Sequence, residues 1–326
     1  MINEESIDVK VHKRIPLIYD IVENIVMTLY KKTSTIYTDI PDSTLKIINS
    51  EAPKLYVGLH KSLWETMGIP VVLKSNNAKV PYVVIGKNLV KGVSKFFMQS
   101  IGGIYVERAS KEKSRQSYAS ALEIKKKIIL ALDIGYDVLI FPTDGRTKNG
   151  QTNFFYSTPF DAALSLSRKN PVYIIPVNVD YEKLPDMPRM LKSIEKEKSY
   201  TFRIWHFSDW LKNLGTEYVS FGEPILVDCG FNRKELNRIV LERAKGLVKI
   251  LPVNIYAEAA IRFKKNNGIF EKHVEKVLKE LDPHKEKFRG FRDLEDIINN
   301  SGITLNDSER KYVIYSGYIS HYLYNS

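Results

Sequence analysis

The chain predicts an α/β fold built on a mixed, largely parallel sheet flanked by helices. Three observations lead there. Strand-type and helix-type segments alternate from Lys54 to Val227, the order expected of successive βα units. The run from Lys54 to Leu59 is short and apolar, with β-favouring Tyr56 and Val57, as in a strand buried between layers. Residues able to do chemistry, His60 and the Gly145-Arg146 pair, follow directly on strand ends, where open α/β sheets place their ligand crevices.

In chain order, residues 13–32 bring Ile18, Ile21, Val22, Ile25, Val26 and Leu29 round at three- and four-residue steps, predicting a helix. Asp20, Glu23 and Asn24 interrupt its apolar character, so it lies on the protein's own core or on a membrane surface and does not cross a bilayer. Strands are expected at 54–59, 80–85, 103–107, 136–141, 171–178, 199–207 and 217–227, and helices at 63–74, 88–100, 112–133 and 159–169. After Gly230 the strand signals stop, and 232–250, 253–266, 269–281, 291–300 and 306–323 read as helices. The expected organisation is an N-terminal helical segment (1–50), an α/β domain (51–230) and a C-terminal helical region (231–326).

Composition narrows the class. With 326 residues, 44% hydrophobic and 27% charged, the chain has the make-up of a folded soluble protein with a sizeable core. No apolar run reaches the roughly 18 to 20 residues that span a bilayer, and Met1 to Ile7, with Glu4 and Glu5, lacks the layout of a signal peptide. One cysteine, Cys229, allows no internal disulfide and suits a reducing interior. The expected location is therefore cytoplasmic. A net charge of +11 implies an anionic partner. Nucleic acid is not expected, because no helix-turn-helix, zinc module or RNA-recognition signature is present. The six histidines make no metal-ligand spacing, so no metal is expected.

Four blocks carry the chemistry. In the first, His60 ends a strand and Glu65 follows five positions later; a histidine there can act as a base, and the carboxylate can fix its tautomer. The second, Gly102-Gly103-Ile104-Tyr105-Val106-Glu107-Arg108, ends in an arginine whose planar fork suits phosphate. In the third, Phe141 to Gly150, a glycine, an arginine, a hydroxyl and a lysine fall within four residues, Gly145 to Lys148, as in a phosphate-holding loop. It lacks the spacing of a nucleotide P-loop, so nucleotide binding is not expected. The fourth, Val172 to Val179, is an apolar strand interrupted by Pro176, a residue that often marks an edge or bulge beside a site.

In this order the blocks resemble the glycerolipid (phospholipid-synthesis) acyltransferase family, whose motifs run H-x-x-x-x-D, G-x-x-F-[IV]-x-R, F-[PI]-E-G-[TG]-R-S and a V-P-[VI] strand. Phe221-Gly222-Glu223-Pro224-Ile225 is similar to the family's late F-G-x-P-[IL] strand. Gly86-Lys87-Asn88-Leu89 and Leu251 to Ala257 resemble stretches of the glycerol-3-phosphate branch. Residues 50 to 265 share the likeness. Two positions depart from it: Glu65 replaces the usual aspartate, and Thr143 stands where the third motif has glutamate, with Asp144 one place later.

The resemblance implies a glycerol-3-phosphate acyltransferase-like fold and an acyl transfer from acyl-CoA, acyl-carrier protein or acyl phosphate to a hydroxyl of glycerol 3-phosphate in phospholipid synthesis. No cofactor is implied beyond that co-substrate. His60 would be the general base and Glu65 its orienting acid, with Arg108, Asp144, Gly145, Arg146, Thr147 and Pro176 on the substrate side. Lysophosphatidate is the alternative acceptor, and a non-catalytic membrane- or polyanion-binding family member the alternative class. The stretch 87–101, interleaving Lys87, Lys91 and Lys95 with Leu89, Val93, Phe96 and Phe97, reads either as a helix packed on the sheet or as a basic amphipathic helix on an anionic membrane. The expected location is thus peripheral, on the cytoplasmic face of a membrane.

Overall fold

The computed structural model of the chain describes residues 10–87, 98, 102–107, 115–143, 145–195, 215–228 and 230–324. The expected strand at 199–207 and most of the expected helix at 88–100 lie outside these residues. A helix, α1 (Pro16–Thr33), leads into strand β1 (Thr35–Asp39) and helix α2 (Asp42–Ile48). The α/β alternation then runs β2 (Lys54–Gly58), α3 (Glu65–Ser75), β3 (Tyr82–Gly86), β4 (Gly103–Val106), α4 (Arg115–Asp133), β5 (Val138–Ile140), α5 (Thr158–Leu166), β6 (Val172–Tyr181), α6 (Met187–Glu195), β7 (Thr216–Phe221) and β8 (Ile225–Val227). Helices α7 (Arg233–Gly246), α8 (Pro252–Asn266), α9 (Phe270–Leu281), α10 (Leu294–Asn300) and α11 (Glu309–Tyr324) follow.

The sheet order is β1-β7-β6-β2-β5-β3-β4, with β8 also pairing β6. Strands β6, β2, β5, β3 and β4 run parallel, and β6 meets β7 and β8 antiparallel. The mixed, mostly parallel sheet flanked by helices is the expected fold class. Strand β2 lies between β6 and β5 and every residue of it is buried, which is why it reads as an unbroken apolar run and not as alternation. Its first residue is Lys54, fully buried, whose Nζ donates to Ser50 O at 2.7 Å and Ala52 O at 2.8 Å and faces Asp137 at 3.5 Å. Asp137 also accepts from the Lys54 backbone N–H at 3.1 Å, so one buried ion pair ties the start of β2 to the start of β5.

Several expectations need correction. Residues 1–50 are not helical throughout, because Thr35–Asp39 forms a strand that pairs in parallel with β7. It is an outer strand with a largely exposed face, so its sequence carries no apolar alternation to betray it. Helices α2 and α6 are short and gave no periodic signal, and 217–227 is two strands separated at Gly222-Glu223-Pro224. Pro176 marks neither an edge nor a bulge. It sits in the middle of the ten-residue β6, in register with Val57. Its missing N–H falls where β6 changes partner: Val172–Ile174 pair with β8 and Val177–Tyr181 with β7. Pro176 O still accepts from the Gly222 N–H at 2.8 Å, so the break in the ladder is placed where it costs little.

The C-terminal helices share one apolar cluster with the sheet; Val57 and Val177 belong to the same cluster as Ile255, Tyr312 and Ile319. They also meet the loop that follows β5 backbone to backbone. A Cβ on Gly317 of α11 would fall 1.8 Å from Asn149 O, and one on Gly150 would fall 2.1 Å from Ile314 O. Gly150 further sits at φ +77°, a region side chains avoid. Gly317→Ala is therefore expected to destabilise the fold by about 2 kcal/mol or more through overpacking, seen as a lowered Tm. An unchanged melting curve would show that loop and helix do not touch this way.

Candidate active site

The backbone leaves β2 at Gly58, and the next two residues put His60 at the sheet's carboxyl edge. Gly58 is needed there because a Cβ would fall 2.6 Å from the ring of Phe141, at the end of β5. With glycine in place, the Phe141 ring stacks on His60 at 4.9 Å between centroids and 25° between planes. The loop then turns into α3, whose first residue is Glu65. His60 Nδ1 lies 3.0 Å from Glu65 Oε2, and Glu65 Oε1 accepts from the backbone N–H groups of Lys61 at 2.7 Å and Ser62 at 2.8 Å. The longer side chain spans the gap that the motif normally assigns to aspartate. Burial pushes the Glu65 carboxyl well above its ordinary value, while the two backbone donors and the Lys61 ammonium pull it down. A neutral imidazole whose Nδ1–H donates a hydrogen bond to this carboxylate carries its lone pair on Nε2.

Lys61 and Ser62 turn inward. Lys61 Nζ pairs with Asp180, whose other oxygen accepts from Asn178 Nδ2 at 2.7 Å and from the Lys249 N–H at 2.8 Å. Ser62 Oγ donates to Asp186 Oδ1 at 2.9 Å. Asp186 also pairs with Arg146, whose side chain is only 9% exposed. The third-motif loop is thus clamped to the first through Asp186, and again by the Thr147 N–H, which donates to His60 O at 3.0 Å. Gly145 (φ +83°) lets the loop turn.

His60 opens onto an apolar cavity of about 200 Å³ whose walls include Met67, Ile85, Ala121, Ile124, Phe141 and Thr143. A second apolar cavity of about 90 Å³, between α1 and α3, shares Met67, Ile85 and Met98 with it.

Of the residues singled out from sequence, His60, Glu65, Gly145, Arg146 and Thr147 converge on the His60 loop, and of these His60 and Gly145 line the cavity. Arg108 and Asp144 lie outside the described residues. Pro176 is buried in β6 and does not line the cavity. Thr143 lines it, and its hydroxyl donates to Gly145 O at 2.8 Å, holding the turn. Sequence reasoning missed Asp186, an acid in a short loop with no motif around it. It also missed Glu217 and Tyr181, cross-strand partners on β7 and β6. Glu217 is almost fully buried with no hydrogen-bond partner for either oxygen among the described residues, and the same holds for the Tyr181 hydroxyl. The Ser34 hydroxyl, which opposes the Glu217 shift, donates to Gly215 O at 3.1 Å. A Cβ on Gly68 of α3 would sit 3.1 Å from Glu217 Oε2, so this acid lies behind the helix that begins with Glu65. Among the described residues, no group of three or more His, Cys, Asp and Glu could hold a metal ion.

Comparison with known proteins matches residues 39–180 to the acyltransferase family. The chain is similar to the glycerol-3-phosphate acyltransferase of Baumannia cicadellinicola subsp. Homalodisca coagulata, 22% identical over 58% of this chain and 24% of that protein. It is also similar to that of Alteromonas mediterranea, 27% identical over 53% of this chain and 22% of that protein. The chain thus spans about a quarter or less of the length of the curated relatives it matches. Among solved structures, the 1-acyl-sn-glycerophosphate (LPA) acyltransferase of Thermotoga maritima aligns with a TM-score of 0.44 and 17% identity, over 70% of this chain and 79% of that one.

Burial and then the Glu65 charge push the Glu217 carboxyl up to about 8 from 4.5. A raised folded-state value means the stabilisation is complete below the unfolded value and is lost as pH rises through the folded one. The slope is at most about 1.4 kcal/mol per pH unit. Glu217→Gln, a neutral isostere, is expected to flatten the fall in Tm between pH 5 and 8. Parallel Tm profiles for the two proteins would show that Glu217 does not hold a proton.

Proposed function

We propose that this protein is an O-acyltransferase that moves a fatty acyl group from an acyl thioester or acyl phosphate to a hydroxyl of glycerol 3-phosphate. The observation that carries the reading is the His60–Glu65 pair, 3.0 Å apart, opening onto an apolar cavity. In the reaction His60 Nε2 takes the proton as the acceptor oxygen attacks the acyl carbonyl carbon, and Glu65 stabilises the imidazolium. The tetrahedral intermediate collapses by breaking the bond to sulfur or phosphate, and the imidazolium returns its proton to the leaving group. No covalent acyl-enzyme and no cofactor is required. The acyl chain would lie in the apolar cavity. Arg146, fixed in orientation by Asp186, and Arg108, on the strength of the motif alone, would hold the acceptor's phosphate, with Gly145, Thr147 and Asp144 shaping the loop around it; positioning of this kind lowers the barrier directly.

The assay offers acyl-CoA, acyl-carrier protein and acyl phosphate against glycerol 3-phosphate and, separately, lysophosphatidate. His60→Ala is expected to lower kcat by roughly 10²- to 10⁴-fold. Turnover on lysophosphatidate alone would replace the acceptor. No turnover by folded wild type with any pair would favour a non-catalytic lipid binder, because Thr143 replaces the usual glutamate of the third motif.

The same reading places the protein on the cytoplasmic face of an anionic membrane. No helix among the described residues is long and apolar enough to cross a bilayer. Helix α1 nonetheless exposes Leu17 at 72%, Ile21 at 51% and Ile25 at 50%, one stripe at four-residue steps, next to Lys10, Lys13 and Arg14. The net charge of +11 equally favours an acidic acyl-carrier protein as donor. Leu17→Glu/Ile21→Glu is expected to reduce sedimentation with phosphatidylglycerol-containing vesicles at least tenfold, since burying each apolar side chain contributes about 1.5–3 kcal/mol. Unchanged partitioning would remove α1 from the membrane contact.

A further inference from the structure

We propose that a second cavity, on the opposite side of the His60 loop from the apolar one, binds a phosphate-type oxyanion and braces the loop that follows β5. Leu59 and Lys61 line this cavity, whereas His60 between them lines the apolar one. Its volume is about 140 Å³, and three elements close it: the segment Gly150–Asn153, the end of α7 at Lys245, and α11 through Gly317, Ser320 and His321.

The lining has the chemistry of an anion site. None of the residues described as lining it is acidic. Lys61 is paired with Asp180, which leaves Lys245 as the lining cation with no carboxylate partner among the described residues. Gln151, Thr152 and Asn153 line the same space, and among the described residues their side chains make no other hydrogen bond, so two amides, a hydroxyl and an ammonium are on hand as donors. His321 reports the local field. Its Nε2–H donates to Lys245 O at 3.1 Å, and burial followed by the charges of Lys61 and Lys245 pushes it down to about 4. A compact anion among these groups would relieve that unfavourable positive potential, and a charge-assisted set of donors is what a phosphate oxygen cluster takes.

Occupancy would be felt at the catalytic loop. Thr147 Oγ1 donates to Gln151 O at 2.8 Å and the Thr147 N–H donates to His60 O at 3.0 Å. Two hydrogen bonds therefore connect the residues that would hold the anion to the backbone of the candidate base. The Gly150–Gly317 contact holds the far side of the loop against α11. An anion drawing Gln151–Asn153 toward Lys245 would close the seam between loop and helix and stiffen the segment from Gly145 to Asn153.

The test is a titration of the full chain with inorganic phosphate, followed by the backbone amide resonances of Gln151, Thr152 and Asn153 and by Tm. Wild type is expected to show saturable shifts at these three amides and a rise in Tm. Lys245→Ala, which changes a half-exposed side chain at a helix end, should weaken binding at least tenfold, and Lys245→Arg should restore it. His60→Ala should bind as wild type, which separates this site from the catalytic one and makes the result independent of whether the protein transfers acyl groups. Repeating the titration with glycerol 3-phosphate identifies the source of the phosphate. An equal loss in Lys245→Ala assigns a phosphate monoester, and a loss confined to inorganic phosphate assigns the free anion. No shift at the three amides, or equal affinity in wild type and Lys245→Ala, overturns the proposal.

Discussion

The site depends on a carboxylate that has been taken out of water. Glu65 is fully buried, and an isolated ion there would cost several kcal/mol. It is tolerable only because the loop that delivers His60 also delivers the Lys61 and Ser62 N–H groups to the same oxygen. A short loop between strand and helix thus does three jobs at once: it presents the base, hydrogen-bonds the acid and begins the helix on which that acid is carried. Moving any one of the three would strip the carboxylate of its donors.

The same economy recurs one layer deeper. Asp180 and Asp186 are buried, each with one cation, Lys61 and Arg146, and each also takes neighbouring polar hydrogens. Asp186 ties the first loop to the third, and Asp180 ties the first loop to the backbone ahead of α8. Breaking a buried pair by removing one partner leaves an uncompensated charge, a far larger loss than a surface ion pair represents. The loops at the carboxyl edge are accordingly held by electrostatic satisfaction more than by apolar contact, while the apolar surface faces the cavity. Helix α11 extends this support with Gly317 and with Tyr315, whose hydroxyl accepts from the Leu184 N–H at 3.0 Å two residues before Asp186. The C-terminal region therefore reaches the site although it lies beyond the family-matched residues.

Much of this was legible beforehand. The parallel core strands announced themselves as continuous apolar runs because both faces are covered, and the helices of the C-terminal region through three- and four-residue periodicity. His60, Glu65 and the Gly145–Thr147 turn could be named because each follows a strand end within a few residues, so local order is enough to bring them to one edge. Strand β1 was not legible, since an outer strand with little burial has no pattern to show. Pro176 was misread for a related reason: a proline's cost depends on which neighbour the missing N–H would have met, and only the change of partner from β8 to β7 reveals that it would have met none.

The sequence by itself determined the fold class, the order of the blocks and the residue types that meet at the carboxyl edge of β2 and β5, because these follow from periodicity and from short-range connection. The tertiary structure alone decided what surrounds them. Whether Arg146 stands open or is clamped by Asp186, whether Glu217 is a surface acid or a buried one behind α3, and which side of the His60 loop is apolar and which is basic all depend on contacts between residues far apart in the chain. Burial and charge pairing are properties of those contacts, and no local pattern encodes them.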